Sequence, residues 1–359
     1  MSTHFIQNLL QVIERSRAVV EGIQLEIEDE DLLDRLNGNQ HHYGLHDNQP
    51  VDLETLGDDT CLLLFRLTLD QIKQIKVAIG LADEIVFRGN DARHSFKRDA
   101  IYSLAILLRR LFYPSRLKDL TLLFGYDFFT VSTIINGILD LLDHLFRDSL
   151  DFNEHQFRVY NLQRLNAAIT EKNSSFVDIV GFIDGTCNAI CRPSDNQEVC
   201  YNGHKRNHCL KYKGVVTPDG ITSSLLGSYP GAMHDQRMLK ESGLLDKLEE
   251  HFDQRPSGGK LYALYGDAAY GRHECFVKPI TNRSRSRRID AAIRVNQQMS
   301  RLRVAVEWEF GHTSTLFAHV HFQPKLKLQQ NRVGPTYRMA TFFKNIHTRP
   351  QLKSTLEAV

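Results

Sequence analysis

The chain has 359 residues, 42% of them apolar and 24% charged, proportions that exclude a disordered, collagen-like or low-complexity protein. A chain of this length is expected to form two domains with cores of their own. The net charge of +1 hides a polarity: residues 1–60 hold 13 acidic and three basic residues, whereas residues 281–359 hold 14 basic and four acidic ones. A basic C-terminal third suits a polyanion such as nucleic acid.

Residues 1–60 read as an acidic N-terminal segment with a polar linker. Leu9, Leu10, Val12 and Ile13 fit an amphipathic helix, Glu28-Asp29-Glu30-Asp31 follows, and residues 36–60 are rich in Asn, Gly, His and Asp. No basic n-region precedes Glu14 and Arg15, so no signal peptide is expected. Apolar runs such as Ile101–Leu108 fall far below the ~18 residues that cross a bilayer, so no membrane contact is expected either. Six cysteines at irregular spacing predict free thiols in a reducing compartment, the nucleus or, without a partner, the cytoplasm.

Residues 61–170 read as an all-α domain, with apolar residues at three- and four-residue spacing broken at Gly80, Gly89, Pro114 and Gly125. Within it, residues 116–146 suggest a helix-turn-helix whose turn is Gly125-Tyr126-Asp127. Its second helix lacks Lys and Arg between Gly125 and Leu145, which predicts packing rather than base reading.

From residue 171 to 325 the pattern becomes α/β. Val177–Ile183 is a β-branched run, and Leu210–Val216 and Ile221–Tyr229 form a hairpin across Thr217-Pro218-Asp219-Gly220. Met233–Leu248 reads as a helix, Leu261–Tyr265 as a fourth strand and Ile289–Phe310 as a long helix. Residues 326–359 read as a basic C-terminal tail.

Three acids stand where chemistry can use them: Asp184 at the end of the first strand, Asp267 after the fourth, and Glu307 on the long helix. Groups at the carboxyl ends of neighbouring strands converge on one crevice, and an all-oxygen set of this kind suits Mg²⁺ or Mn²⁺. Two such ions clamp the attacking and leaving oxygens of a phosphodiester. Glu307 and Glu309 flank the apolar stripe of Leu302 and Val306 on opposite sides, so periodicity alone leaves the third acid open.

The segments Gly181-Phe182-Ile183-Asp184-Gly185-Thr186, Pro230-Gly231-Ala232-Met233-His234-Asp235, Gly266-Asp267-Ala268-Ala269-Tyr270 and Asn296–Gly311 occur in that order. Together they resemble the successive motifs of the PIF/Harbinger DDE transposases, domesticated Harbinger-derived nucleases included. The resemblance implies an RNase H-like catalytic domain, a mixed sheet flanked by helices, behind the N-terminal all-α domain. It implies Asp184, Asp267 and Glu307 as the metal-binding triad, with two divalent ions, and it selects Glu307 because the family's glutamate directly follows Val and precedes Phe by three. It further implies a nuclear DNA endonuclease and transposase with a separate Myb-like DNA-binding partner. A domesticated DNA or chromatin adaptor that no longer cuts is the alternative. The sequence leaves the oligomeric state open, a dimer included.

Several supporting residues follow. Arg303, one turn before Glu307, is placed to orient it or to touch a phosphate. His234 and Asp235 open a helix, where Asp235 favours the N-terminus and where the resemblance puts a Gly-x-x-His-Asp element beside the catalytic pocket. Lys205 and Arg206, in a long loop after the first strand, and the basic run containing Arg285, Arg287 and Arg288 are expected to meet DNA phosphates. Cys187, Cys191, His204 and His208 match a zinc-finger spacing, but the interval between the pairs lacks a finger's apolar core, and no zinc is expected. The single Trp308 is expected in the core.

Overall fold

The computed structural model describes residues 50–88, 95–172, 178–253, 262–267, 270, 273–280, 288–328 and 330–357, with the backbone alone for 288–292, 294, 302, 305 and 349–357. The acidic segment before residue 50 and the arginines at 285 and 287 lie outside the described residues. The chain divides into two compact units, one running to Leu145 and including Phe317–His319, the other comprising Phe146–Leu316 and Val320–Val359.

The first unit is built around α3 (Ala100–Phe112), which follows α1 (Asp58–Phe65), α2 (Leu69–Ala78) and the strands β1 (Glu84–Arg88) and β2 (Ser95–Asp99). The start of α2 is fixed by a capping box: the Gln71 amide donates to Thr68 Oγ1 while Gln71 Oε1 accepts from the Thr68 amide. The apolar run Leu104–Leu108 is buried along α3 and supplies the core. The expectation of an all-α domain is corrected by β1 and β2, which pair antiparallel from Glu84↔Asp99 to Arg88↔Ser95. Ile85, Val86, Phe87 and Phe96 are β-branched or aromatic, and cross-strand packing of such residues (Phe87 and Phe96 rings at 5.7 Å) outweighs the helical spacing around them.

The expected helix-turn-helix is present as α4 (Leu117–Phe124), a turn at Gly125, and α5 (Phe128–Asp151). Gly125 has φ of 69°, and a Cβ there would sit 2.9 Å from the Pro50 nitrogen, so both conformation and space call for glycine. By length and composition α5 is apolar enough to cross a membrane, yet Val131, Ile134, Ile138, Leu139 and Leu142 are buried within the protein.

In the second unit β3 (Ile179–Ala189), β5 (Asn207–Val216), β6 (Thr222–Pro230), β7 (Ala263–Tyr265) and β8 (Phe276–Val277) form one mixed sheet in the order β6-β5-β3-β7-β8, with the short α7 (Gln197–Cys200) and β4 (Tyr201–Asn202) leading into β5. β3 runs antiparallel to β5 and parallel to β7, and β7 runs parallel to β8. Helices cover both faces. Leu162 and Leu165 of α6 (Val159–Lys172), Leu239 of α8 (Asp235–Glu241) and Leu244, Leu248 and Phe252 of α9 (Leu244–Phe252) pack with Val180, Ile183 and Val215. On the other face Met299, Val306 and Phe310 of α10 (Arg288–Leu316) pack with Phe182, Val216 and Tyr265. Val180 and Ile183 of β3 thus feed one layer and Ile179 and Phe182 the other, the alternation being shifted by the irregularity between Ile179 and Gly181. This mixed sheet flanked by helices fits an RNase H-like DDE domain.

Four expectations change here. The expected boundary at residue 171 moves to Phe146, because α6 buries its leucines in the sheet's own core. Residues 326–359 are no tail: α11 (Val333–Glu357) buries Val333, Tyr337, Met339, Ala340 and Phe343, and Tyr337 stacks on Tyr212 with ring centroids 4.2 Å apart. Met233–Leu248 is two helices, separated at Gly243, whose φ of 63° ends the first run. The cysteines are not all free, since Cys187 and Cys209 form a disulfide. Pairing of β3 with β5 sets Ala189 opposite Cys209, which leaves Cys187 two residues away on the same face at a Cα separation of 5.9 Å.

At Gly214 α10 comes close to the sheet: a Cβ there would lie 2.8 Å from the Phe310 ring. Replacement by valine overpacks that contact. Gly214→Val is expected to lower the unfolding free energy by about 1–3 kcal/mol in urea titrations. A variant as stable as the parent would show that the helix shifts freely over the strand.

Candidate active site

Asp184 stands in the middle of β3 rather than at its end, because β5 pairs with the strand as far as Ala189. It lies two residues beyond Phe182, which faces Tyr265 across the parallel β3–β7 pair, and Asp267 lies two residues beyond Tyr265. Asp184 is still within β3 and Asp267 follows the end of β7, and the charge of Asp267 acts on the Asp184 carboxyl. The carboxylate of Asp184 accepts from the Gly185 amide at 2.8 Å and from Arg303 Nη1 at 2.5 Å. Arg303 Nη2 reaches Glu307 Oε1 at 3.2 Å, so one guanidinium spans two of the three acids. Burial pushes the Asp184 carboxyl above the ordinary carboxylate range; the Gly185 amide and Arg303 pull it down, and the charges of Asp267 and Glu307 push it up again. That mutual influence places all three acids in one electrostatic neighbourhood.

Glu309 points elsewhere. Its Oε2 accepts from Lys344 Nζ at 2.8 Å, and this fully buried ammonium also donates to the Gly220 carbonyl and to Thr222 Oγ1. The two glutamates differ in their partners: Glu307 faces Arg303, which also holds Asp184, and Glu309 faces α11.

Lys213 was not legible as a site residue. It is fully buried in β5, its Nζ donates to the Asp235 carbonyl at 2.9 Å and lies 4.3 Å from the centre of the Tyr270 ring. Burial pushes its ammonium down to about 8, against the opposing pull of Asp235, Asp267 and Asp184. Lys211, on the same face, donates to the Met233 carbonyl and to Asp235 Oδ1, both at 2.9 Å. The two lysines fasten the start of α8 beside the acids. Two lysines at alternate positions in an otherwise apolar strand are the signal that was available.

The remaining candidates scatter. His234 is exposed at the cap of α8 and makes no side-chain capping bond, and Asp235 is engaged by Lys211. Lys205 and Arg206 are exposed in the turn before β5, and Arg288 opens α10. The Cys187/Cys191/His204/His208 set is divided: Cys187 is bonded to Cys209, Cys191 Sγ lies 3.3 Å from the Gln323 carbonyl, and the His208 ring meets Tyr201 edge-on. Trp308 is 73% exposed, contrary to its expected place in the core, because Val306 and Phe310 take the sheet-facing positions of that turn.

Three carboxylates are an all-oxygen donor set of the kind that suits hard divalent cations. As the side chains stand, no three His, Cys, Asp or Glu among the described residues are gathered tightly enough to hold an ion, and Arg303 meets the negative charge of Asp184 and Glu307 instead. The donor chemistry fits a metal, and Arg303 is the group that must move for the acids to close on one.

Residues 183–342, somewhat less than half of the chain, match the family model described as DDE superfamily endonuclease. The matched segment contains Asp184, Asp267 and Glu307 and extends into α11. No curated protein and no solved structure matches the chain. The match supports a DDE transposase-like family and a nuclease- or transposase-like function, with DNA as the implied substrate and a divalent metal as the cofactor such endonucleases generally use.

The two glutamates are separable by stability. Glu309→Gln leaves the Lys344 ammonium buried without its counter-charge and is expected to cost about 3 kcal/mol in urea unfolding. Glu307→Gln, at a half-exposed side chain, should change stability by less than about 1 kcal/mol. Equal losses would refute this division.

Lys213 predicts a pH dependence. Its proton is held more weakly in the folded chain than in the unfolded one, so its cost is fully present below about 8 and eases as the pH rises toward the ordinary lysine value of 10.5. The stability of the parent relative to Lys213→Met should therefore increase between neutral pH and pH ~10. A pH-independent difference would mean that this ammonium is not desolvated.

Proposed function

We propose that the chain is a PIF/Harbinger-type DDE endonuclease and transposase, with Asp184, Asp267 and Glu307 as its catalytic acids. The observation that carries this reading is the parallel β3–β7 pairing, whose register ends two residues before Asp184 and Asp267, with Glu307 joined to Asp184 through Arg303. The three carboxylates would hold two Mg²⁺ or Mn²⁺ ions, which when bound supply Lewis-acid stabilisation of the charge that builds up on the phosphodiester.

The chain's own residues do the remaining work. Burial of Asp184 keeps bulk water from screening the site, which strengthens every charge interaction there. Arg303, once released from the acids, has its planar donor fork directed at the same crevice and is suited to a phosphate's oxygens. Lys211 and Lys213 fix the start of α8, whose exposed cap residue His234 would be free to meet the DNA backbone. The reaction is hydrolysis of a phosphodiester to a 3′-hydroxyl and a 5′-phosphate, followed by attack of that 3′-hydroxyl on a target phosphodiester. Lys205, Arg206 and the basic run to Arg288 supply sequence-independent phosphate contacts. A Myb-like partner would then provide end recognition, in the nucleus.

The Arg303 bridge also gives the second reading its support, because acids already neutralised by an arginine suit a non-cutting DNA adaptor. Nuclease assays on end-labelled duplex decide between them. Asp184→Asn, Asp267→Asn and Glu307→Gln should each reduce cleavage at least about 100-fold while leaving the fold intact, and Glu309→Gln should retain cleavage in the molecules that remain folded. Activity stripped by chelator should return with Mg²⁺ or Mn²⁺ and not with Ca²⁺, whose longer bonds misplace the attacking oxygen. DNA binding without cleavage under every metal would establish the adaptor.

A further inference from the structure

Trp308 is the chain's single tryptophan, and its indole is 73% exposed. Its neighbours on either side are engaged, Glu307 with Arg303 and Glu309 with Lys344, so the indole projects from the one turn of α10 that carries the third acid. A tryptophan left in water forgoes the burial that ordinarily keeps this side chain inside, and here nothing in the packing of the helix gains from it.

The surface around the ring is specific. On a helix, Arg301 lies two turns before Trp308 on the same face, Gly311 one turn after it and Thr315 two turns after it. All three are exposed. A Cβ added at Gly311 would meet nothing within 4 Å, so this glycine answers no internal packing demand and leaves open backbone beside the indole. The strip therefore offers a guanidinium, a flat aromatic face and a glycine, on the solvent face of the turn that carries Glu307.

An unstacked nucleobase whose sugar-phosphate chain passes the arginine complements that combination. A base inside a duplex already has both faces covered, whereas a base of a single strand or a frayed end presents a free face to an aromatic ring. We propose that Trp308 is a stacking platform for an unpaired nucleobase adjacent to the phosphodiester bound at Asp184, Asp267 and Glu307, with Arg301 on the flanking phosphate. The proposal rests on the nuclease reading above and adds to it the substrate class, DNA with unpaired bases at the point of reaction.

The sole tryptophan makes the test direct, since indole emission reports on position 308 alone. The full chain is titrated, without divalent cation so that nothing is cut, with a short fluorescein-labelled oligothymidine and with a blunt duplex of mixed sequence, and binding is followed separately by anisotropy of the label. Oligothymidine is expected to quench the indole emission and the blunt duplex to leave it nearly unchanged. Trp308→Ala should weaken oligothymidine binding about 5-fold or more, Trp308→Phe should recover part of that loss, and neither should alter duplex binding. Because the side chain is exposed, both variants should melt as the parent does. If oligothymidine binds with no change in emission, or binds Trp308→Ala as tightly as the parent, the stacking proposal is wrong while duplex binding and Glu307-dependent cleavage still stand. If neither DNA binds, or if Asp184→Asn still cuts, the nuclease reading fails and the stacking proposal with it.

Discussion

A carboxylate in the central strand of a sheet, flanked by strands on both sides and covered by a helix, is costly unless a cation or a set of donors meets it. Asp184 is that carboxylate. The Gly185 amide satisfies one oxygen and Arg303 the other, and the need for Arg303 to arrive there sets the rotation of α10 about its own axis. With that rotation fixed, Val306 and Phe310 go into the sheet, Glu307 returns to Arg303, and Glu309 is turned toward α11. One ion pair thus decides which glutamate belongs to the acid cluster and which belongs to the core.

The same arrangement explains how a cluster of like charges persists in a folded chain. Arg303 acts on the strand side of the cluster, and the desolvated Lys213 acts from the β5 side through its field on Asp184 and Asp267. The first is mobile in principle, being a surface-reaching side chain of a helix. The second is fully buried and anchored by a carbonyl and an aromatic face, so it is a fixed part of the site's electrostatics.

Much of this was legible in the sequence, for identifiable reasons. An apolar β-branched run leading into Asp184-Gly185 and a short strand followed by Gly266-Asp267 are local patterns that drew attention to both aspartates, and the family resemblance then selected them together with Glu307. The hairpin across Pro218-Asp219-Gly220 was legible for the same reason. What was missed depends on pairing between distant segments. β3 continues past Gly185 because β5 holds it, and Cys187 meets Cys209 only once that register exists. Glu307 and Glu309 differ only through Arg303 and Lys344, and Lys344 lies in a segment whose basic character resembled a solvated tail. Lys213 resembled surface charge in a strand until the sheet enclosed it. Trp308 was misread because aromatic residues on an apolar-striped helix usually face inward, and the stripe here is already filled by Val306 and Phe310.

The buried ammonium of Lys344 carries a consequence for how the molecule is made. Its partners, Gly220, Thr222 and Glu309, are all translated earlier, and each leaves the ribosome with a polar group awaiting a cation that the chain has not yet supplied. The sheet and α10 can collapse beforehand, but the contacts of Gly220, Thr222 and Glu309 with this ammonium close only once α11 has joined them. The helix that bears Glu307 therefore settles only after residue 344 has joined the sheet, and a chain cut short before Lys344 would hold Glu309 without its counter-charge.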